Sequence, residues 1–287
     1  MYFKRIKRTL SFLTRLSVGM DYDSFDEVAK EMHLFPISAF IIGFLASFAT
    51  WVIGGGPLIY LPTPPTYQVP GLLLGIIVLG LIFLITGLHH TDGLMDLGDG
   101  LMVHGSNEKK IEVMHDVNVG VGGYTLAFIA YAITGISFGY FTFNLFISLV
   151  IVTEISAKLS MVTAATFGKS AQKEGLGAIF IRFTTKKMFI KAFFLSILFS
   201  FFGFIIQGII NLSFSNILNQ LVKIITIWLS GIIIGILTSL LFIRLANRNF
   251  GGLTGDVFGA MNEITRMVTA IAIVIILNSI NNEVLVF

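Results

Sequence analysis

The sequence predicts an all-α fold: a polytopic integral membrane helix bundle of about seven transmembrane helices, with an amphipathic interfacial helix at its N-terminus. Three observations predict it. Hydrophobic residues make up 55% of the chain and charged residues 12%, where a soluble domain carries about 25% charged residues. The apolar residues gather in runs close to the ~20 residues that span a bilayer. Lys and Arg collect between alternate runs, as positive residues do on the cytoplasmic side.

The first segment, 1–34, is expected to be cytoplasmic and interfacial. Lys4, Arg5, Lys7, Arg8 and Arg15 interleave with Phe3, Ile6, Leu10, Phe12, Leu13 and Leu16. No uninterrupted apolar core or small-residue cleavage site follows, so the segment does not read as a signal peptide. It reads as a helix lying on the inner membrane surface. Residues 35–280 then form the bundle of a single membrane domain, with spans near Phe35–Ile53, Gly71–Leu88, Tyr124–Tyr140, Phe143–Thr163, Phe189–Ile210, Leu221–Phe242 and Met267–Ile280. Asn144 is the expected turn within the Tyr124–Thr163 stretch. With the N-terminus inside, the inner segments are 1–34, 89–123, 164–188 and 243–266. These segments, with the span ends that abut them, hold nearly every Lys and Arg, Lys223 excepted. Gly54-Gly55-Gly56-Pro57 and Pro62-Thr63-Pro64-Pro65 form a stiff outer loop, and 281–287 is an outer tail.

The acidic residues follow the same asymmetry, only Glu283 lying clearly outside. The chemistry is therefore expected on the cytoplasmic face of a multi-pass protein of the cell membrane. The absence of cysteine excludes disulfides, thiolate metal sites and cysteine nucleophiles. A pI near 9.1 reflects inner-face anchoring and suits anionic substrates. Nothing resembles a nucleic-acid-binding module.

The most informative stretch is His89-His90-Thr91-Asp92-Gly93-Leu94-Met95-Asp96-Leu97-Gly98-Asp99-Gly100, directly after the second span. If that span continues as a helix, Asp96 lies about 40° from Asp92 and Asp99 about 20° on the other side. The carboxylates then share one face. No Lys or Arg occurs between Lys30 and Lys109 to make this an ordinary solvated charged face. Clustered hard oxygens suit Mg²⁺ or Mn²⁺, which takes substrate phosphates as further ligands. The same wheel puts His89 with the carboxylates and His90 opposite; either histidine suits a proton acceptor.

Farther on, Asp116 precedes Gly120-Val121-Gly122-Gly123, whose helix start offers free N–H groups to a phosphate. A second acidic, glycine-rich stretch runs from Gly251 to Glu263 and contains Asp256. Arg244, Arg248 and Arg266 flank it, and arginine forks suit phosphate oxygens. Glu154 and Lys158 stand four apart inside a span, where charges pair or line a cavity; they either neutralise each other or line such a cavity, and no role is assigned to them.

These motifs together resemble the cobalamin synthase (adenosylcobinamide-GDP ribazoletransferase) family, almost end to end. Phe12-Leu13-Thr14-Arg15-Leu16 is similar to an opening F-x-T-R-L-P, with Ser17 in place of proline. Phe35-Pro36 and Gly43 resemble F-P…G, and His90 to Gly100 resembles H-x-D-G-L-x-D-x-x-D-G, the most specific signature. Val113-Met114-His115-Asp116 through Gly123 resembles I-M-K-D-S-x-x-G-x-x-G, with His115 for lysine and Val117 for serine. Glu174-Gly175-Leu176-Gly177 and the Gly251–Glu263 stretch complete the series.

The resemblance implies a Mg²⁺-dependent transferase that joins adenosylcobinamide-GDP to α-ribazole or its 5′-phosphate and releases GMP. It points to His90 rather than His89. On that reading His90, Asp92, Asp96 and Asp99 are catalytic, and Asp92, Asp96 and Asp99 hold metal. Arg15, Asp116, Arg244, Arg248 and Asp256 contact substrate. The bilayer is a further partner; no nucleic acid is expected, and oligomeric state is left open. Two other readings compete. A CDP-alcohol-type phosphotransferase needs Ala-Arg where Val103-His104 stands. A cation-coupled transporter needs ionisable groups at mid-membrane depth on several spans.

Overall fold

A computed structural model describes residues 2–16, 25–56, 69–116, 118–141, 143–210 and 217–281. Among them every long element is a helix, and the one bridge of β type joins Ser170 to Leu253. Most of the outer loop, at 57–68, and the tail beyond 281 lie outside the described residues, as do Ser17 and Val117.

Helix α1 (Tyr2–Leu13) has the predicted amphipathic pattern, but its apolar face meets protein. Leu10 and Leu13 are buried, and Thr9 Oγ1 lies 3.0 Å from Ser38 Oγ on the first span. Tyr2 and Phe3 stay exposed. Short α2 (Phe25–Ala29) ties α1 down through the Arg8–Glu27 ion pair, and Arg5 pairs with Glu31 at 3.3 Å. Glu31, just ahead of the first span, is held protonated to higher pH than usual, chiefly by burial.

Six helices are long and apolar enough to cross a membrane. They are α3 (Phe35–Ile53), α7 (Val121–Gly139), α8 (Phe146–Phe167), α10 (Lys186–Ile210), α11 (Ile217–Asn249) and α12 (Gly255–Asn281). Each overlaps a predicted span, but α11 runs on to Asn249 and α12 starts at Gly255, not Met267, so most of the predicted inner segment 243–266 is helix continuous with the spans. A 3₁₀ turn at Phe143–Leu145 contains Asn144, where the turn was expected. Pro36 fits the first turn of α3, where its missing N–H costs nothing.

Helix α8 is the central post, buried from Phe146 to Ala165 and packed against α3, α10, α11 and α12. Facing glycines let those neighbours close in. A Cβ on Gly43 of α3 would come 3.1 Å from Ile151 Cα, and one on Gly235 of α11 would come 2.7 Å from Ser156 O. Small residues at such crossings are how helices gain contact where no hydrophobic effect drives them together. The outward faces of α4 (Gly71–Thr86), α7, α10 and α11 expose Ile76, Leu84, Phe128, Phe194, Ile233 and Leu241, as a lipid-facing belt requires.

The second predicted span departs from expectation. It is not one continuous helix through the acidic motif: α4 ends at Thr86, and α5 (His89–Met102) leaves it at 101°. The physical cause is local. Gly87 has φ +75°, a left-handed conformation that other residues rarely adopt. The Arg15 side chain packs beside it, and Arg15 N donates to Ile85 O at 2.7 Å. Counting the bent pair as one span gives seven. Two short helices, α6 (Asn107–Met114) and α9 (Leu176–Phe183), lie between the spans on the side of the acidic motif.

Candidate active site

Helix α5 is wedged between α7 and α12, and glycines on all three make the wedge possible. A Cβ on Gly93 would meet the Asp256 Cα at 2.8 Å; one on Gly98 would meet Gly123 Cα at 2.8 Å; one on Gly259 would meet His90 Cα at 3.2 Å. The close contact of Gly93 with Asp256 brings the second acidic motif against the first, across more than half the chain. Asp96 feels the negative charge of Asp256, Asp92 and Asp99, and Asp256 feels that of Asp92. The nearest cationic candidate to Asp256 is His115, whose Nε2 stands 4.0 Å from Asp256 Oδ2. Thr254 Oγ1 also lies 3.3 Å from Asp256 Oδ2, at the start of α12.

Asp99 has a second engagement. Gly120 N donates to its Oδ2 at 2.7 Å, and Gly123 N donates to its Oδ1 at 2.8 Å. It caps α7, using the N–H groups that sequence reasoning offered to a phosphate. Each oxygen keeps a second lone pair, so the cap orients the carboxylate without consuming it.

Among the described residues no three His, Asp or Glu side chains converge at metal-ligand distance. The set is nevertheless chemically right for a hard divalent cation. It is all oxygen, and it crowds like charges that a cation between them would relieve.

The other predicted residues are placed less uniformly. Arg15 lies at the α4–α5 bend, near His89 and exposed. Asp116 is exposed and turned back on its own loop, accepting from Asn118 N and Nδ2 at 2.9 Å each. Those bonds favour its charged form and hold its carboxyl below the usual carboxylate range. Arg244 and Arg248 stand exposed on the last turns of α11, and among the described contacts none joins them to the carboxylates. Arg266 is not available to phosphate at all: it is fully buried and bound by two glutamates.

That arginine belongs to a network that sequence reasoning missed. Arg266 Nη2 donates to Glu154 Oε2 at 3.1 Å, and Arg266 also pairs with Glu263. Glu154 and Lys158 do not simply neutralise each other. Each finds its partner on α12, Glu154 in Arg266 and Lys158 in Asn262, whose Oδ1 accepts from Nζ at 2.6 Å. Asn262 in turn reaches Glu263 and His90. Of its four charges the predicted spans held only Glu154 and Lys158, since Glu263 and Arg266 fell in the predicted inner segment 243–266. Once α12 carries those two inward, Glu154, Lys158, Glu263 and Arg266 sum to zero, as a buried set must nearly do.

Two further motifs meet beside Asp256. Leu253 N donates to Lys169 O at 2.8 Å, and Ala171 N donates to Leu253 O at 3.0 Å. A Cβ on Gly177 would come 2.9 Å from Thr254 C. The Glu174–Gly177 loop thus braces the Gly251–Thr254 loop. Beside that platform a cavity of about 430 Å³ is lined by Asn107, Glu108, Glu112, Gln172 and Gly251, among others.

The comparisons agree with these motifs. A family model described as Cobalamin-5-phosphate synthase matches residues 5–274. The chain belongs to that family. An adenosylcobinamide-GDP ribazoletransferase of Methanococcoides burtonii is 31% identical, over 96% of this chain and 94% of its own. One of Methanosarcina barkeri is 29% identical over 96% and 93%, and one of Methanocella arvoryzae 32% over 91% and 92%. No solved structure matches. Family membership disfavours both the CDP-alcohol phosphotransferase and the transporter. The charges at mid-span depth that a transporter needs do exist here, but they are matched to one another.

Proposed function

We propose that the chain is an adenosylcobinamide-GDP ribazoletransferase, joining adenosylcobinamide-GDP to α-ribazole or its 5′-phosphate and releasing GMP, the nucleotide-loop assembly step of cobalamin synthesis. One observation supports the site assignment: the contact of Gly93 with Asp256 brings the carboxylates of two distant motifs close enough to feel each other's charge. Family membership and relatives matched over nearly their whole length support the activity.

In the reaction a ribose hydroxyl of the ribazole attacks the cobinamide-bearing phosphorus. Because the 5′-phosphate is also an acceptor, the attacking hydroxyl is not the 5′ one. An O–P bond forms, the bridging P–O bond breaks, GMP carries away the electron pair, and the hydroxyl proton is lost. Such transfers depend on positioning and neutralisation of charge more than on covalent catalysis. Asp92, Asp96 and Asp99, joined by Asp256, would hold Mg²⁺, which supplies charge neutralisation along the diphosphate when bound. Asp99 also fixes the start of α7, so the Gly120–Gly123 turn and the carboxylate face keep one geometry. Arg15, at the α4–α5 bend, is placed to meet an anionic substrate group. His90 precedes Asp92 by two residues on α5, and exposed Asp116, Arg244 and Arg248 would contact the substrates.

We assign this face to the cytoplasm, with the N-terminus inside and the protein in the cell membrane. The positive-inside distribution of Lys and Arg supports that orientation. Purified protein given Mg²⁺ and both substrates should yield GMP and the joined corrinoid, read by mass. Release of CMP from a CDP-alcohol, with no GMP from the cobinamide donor, would overturn the reading.

A further inference from the structure

His90 is the one member of the predicted catalytic group that contacts the buried network, and the network dictates how its ring is presented. Lysine can only donate hydrogen bonds. Lys158 Nζ lies 2.6 Å from the Asn262 side chain, so the atom facing it must be the amide oxygen. The Asn262 amide is therefore oriented without ambiguity, and its two N–H groups point the other way. One donates to Glu263 Oε1 at 2.9 Å; the other faces His90 Nδ1 at 3.3 Å. A donor facing Nδ1 requires a lone pair there. The ring proton then sits on Nε2.

The alternative, a proton on Nδ1 directed at Glu263 Oε1, is served less well. That separation is 3.8 Å, and the same glutamate is already occupied by Arg266 and Asn262. Lys158 and Asn262 are fully buried, and Glu263 nearly so, so no water competes to reorient the amide.

We infer that the Lys158–Asn262 relay holds His90 as the Nε2–H tautomer, so that His90 serves the reaction as a hydrogen-bond donor to an anionic phosphate oxygen and not as the base that takes the hydroxyl proton. Lys158 and Asn262 are positioning residues acting through His90. The inference rests on the placement of His90 in the active site given above, and it changes the role expected of that histidine.

Two measurements on the full-length protein test it. The first is the ring ¹⁵N spectrum of histidine-labelled protein in detergent micelles, with the His90 signals identified by their loss in His90→Gln. The wild type should show a protonated Nε2 and an unprotonated Nδ1. Asn262→Asp, which puts an acceptor beside Nδ1, should move the proton to Nδ1. A wild-type ring protonated on Nδ1 overturns the relay whatever the activity.

The second is turnover of three variants. The glutamine amide N–H overlays Nε2–H, whereas that of asparagine overlays Nδ1–H. His90→Gln should therefore retain about 10-fold or more activity over His90→Asn and His90→Ala, the usual worth of a hydrogen bond to a charged group. The difference should lie in kcat with KM little changed. Glutamine no better than alanine overturns the donor role. If all three variants turn over normally while the ring shows Nε2–H, the tautomer stands, and it is the placement of His90 at the active site that fails.

Discussion

At the scale of single residues, the carboxylates divide by what else they do. Asp92 and Asp96 have no structural bond among the described contacts, so their substitution reads out chemistry. Asp92→Asn and Asp96→Asn should each lower kcat/KM by ~100-fold or more, measured as GMP release, because each removes charge neutralisation in the transition state. Near-normal turnover in both would defeat the metal assignment. Chelation with EDTA should abolish GMP release, and added Mg²⁺ should restore it. Asp99→Asn carries a second cost. Gly120 N and Gly123 N bond different oxygens, and the asparagine NH2 that replaces one of them would face a donor, so thermal unfolding in detergent should show a loss of about 1 kcal/mol on top of any catalytic defect. Asp92, Asp96 and Asp99 were legible as a cluster from spacing alone. The cap was not, because it depends on where α7 begins in space.

At the scale of elements, helix crossings and the charge network set the architecture. Gly93→Ala would press a methyl group into the α12 backbone, 2.6 Å from Asp256 O. It should destabilise the protein by about 1–3 kcal/mol, the range for overpacked contacts, and impair catalysis by prising the two acidic motifs apart. A thermal-unfolding assay beside GMP release checks both. Between α8 and α12, Arg266→Gln leaves Glu154 without its partner and should cost about 3–5 kcal/mol. Adding Glu154→Gln should recover part of that loss, whereas additive costs would mean the pair is not coupled. The spans were readable from apolar run length. The α4–α5 bend was not: Gly87 looked like one glycine among many, and its left-handed backbone, beside the Arg15 side chain, appears only in the folded chain.

At the scale of the whole molecule, the cysteine-free chain permits a direct test of orientation. Lys187→Cys, exposed at the start of α10, should react with an impermeant maleimide only from the cytoplasmic side, and Tyr140→Cys, exposed after α7, only from the outside. The opposite pattern would invert the topology and move the active site with it. The amino-acid sequence by itself determined that the chain crosses a membrane, roughly how often, and that acids of one sign gather on one face. Those properties follow from composition along a line, since a bilayer tests each run of some twenty residues in turn. Only the tertiary structure decided that Asp256 joins the α5 carboxylates, that Arg266 is held by glutamates, and that His90 Nδ1 faces Asn262. Those outcomes turn on a few glycines letting α5 approach α7 and α12 closely enough for short side chains to meet. Proximity between residues more than a hundred positions apart is a property of packing and has no period in the chain.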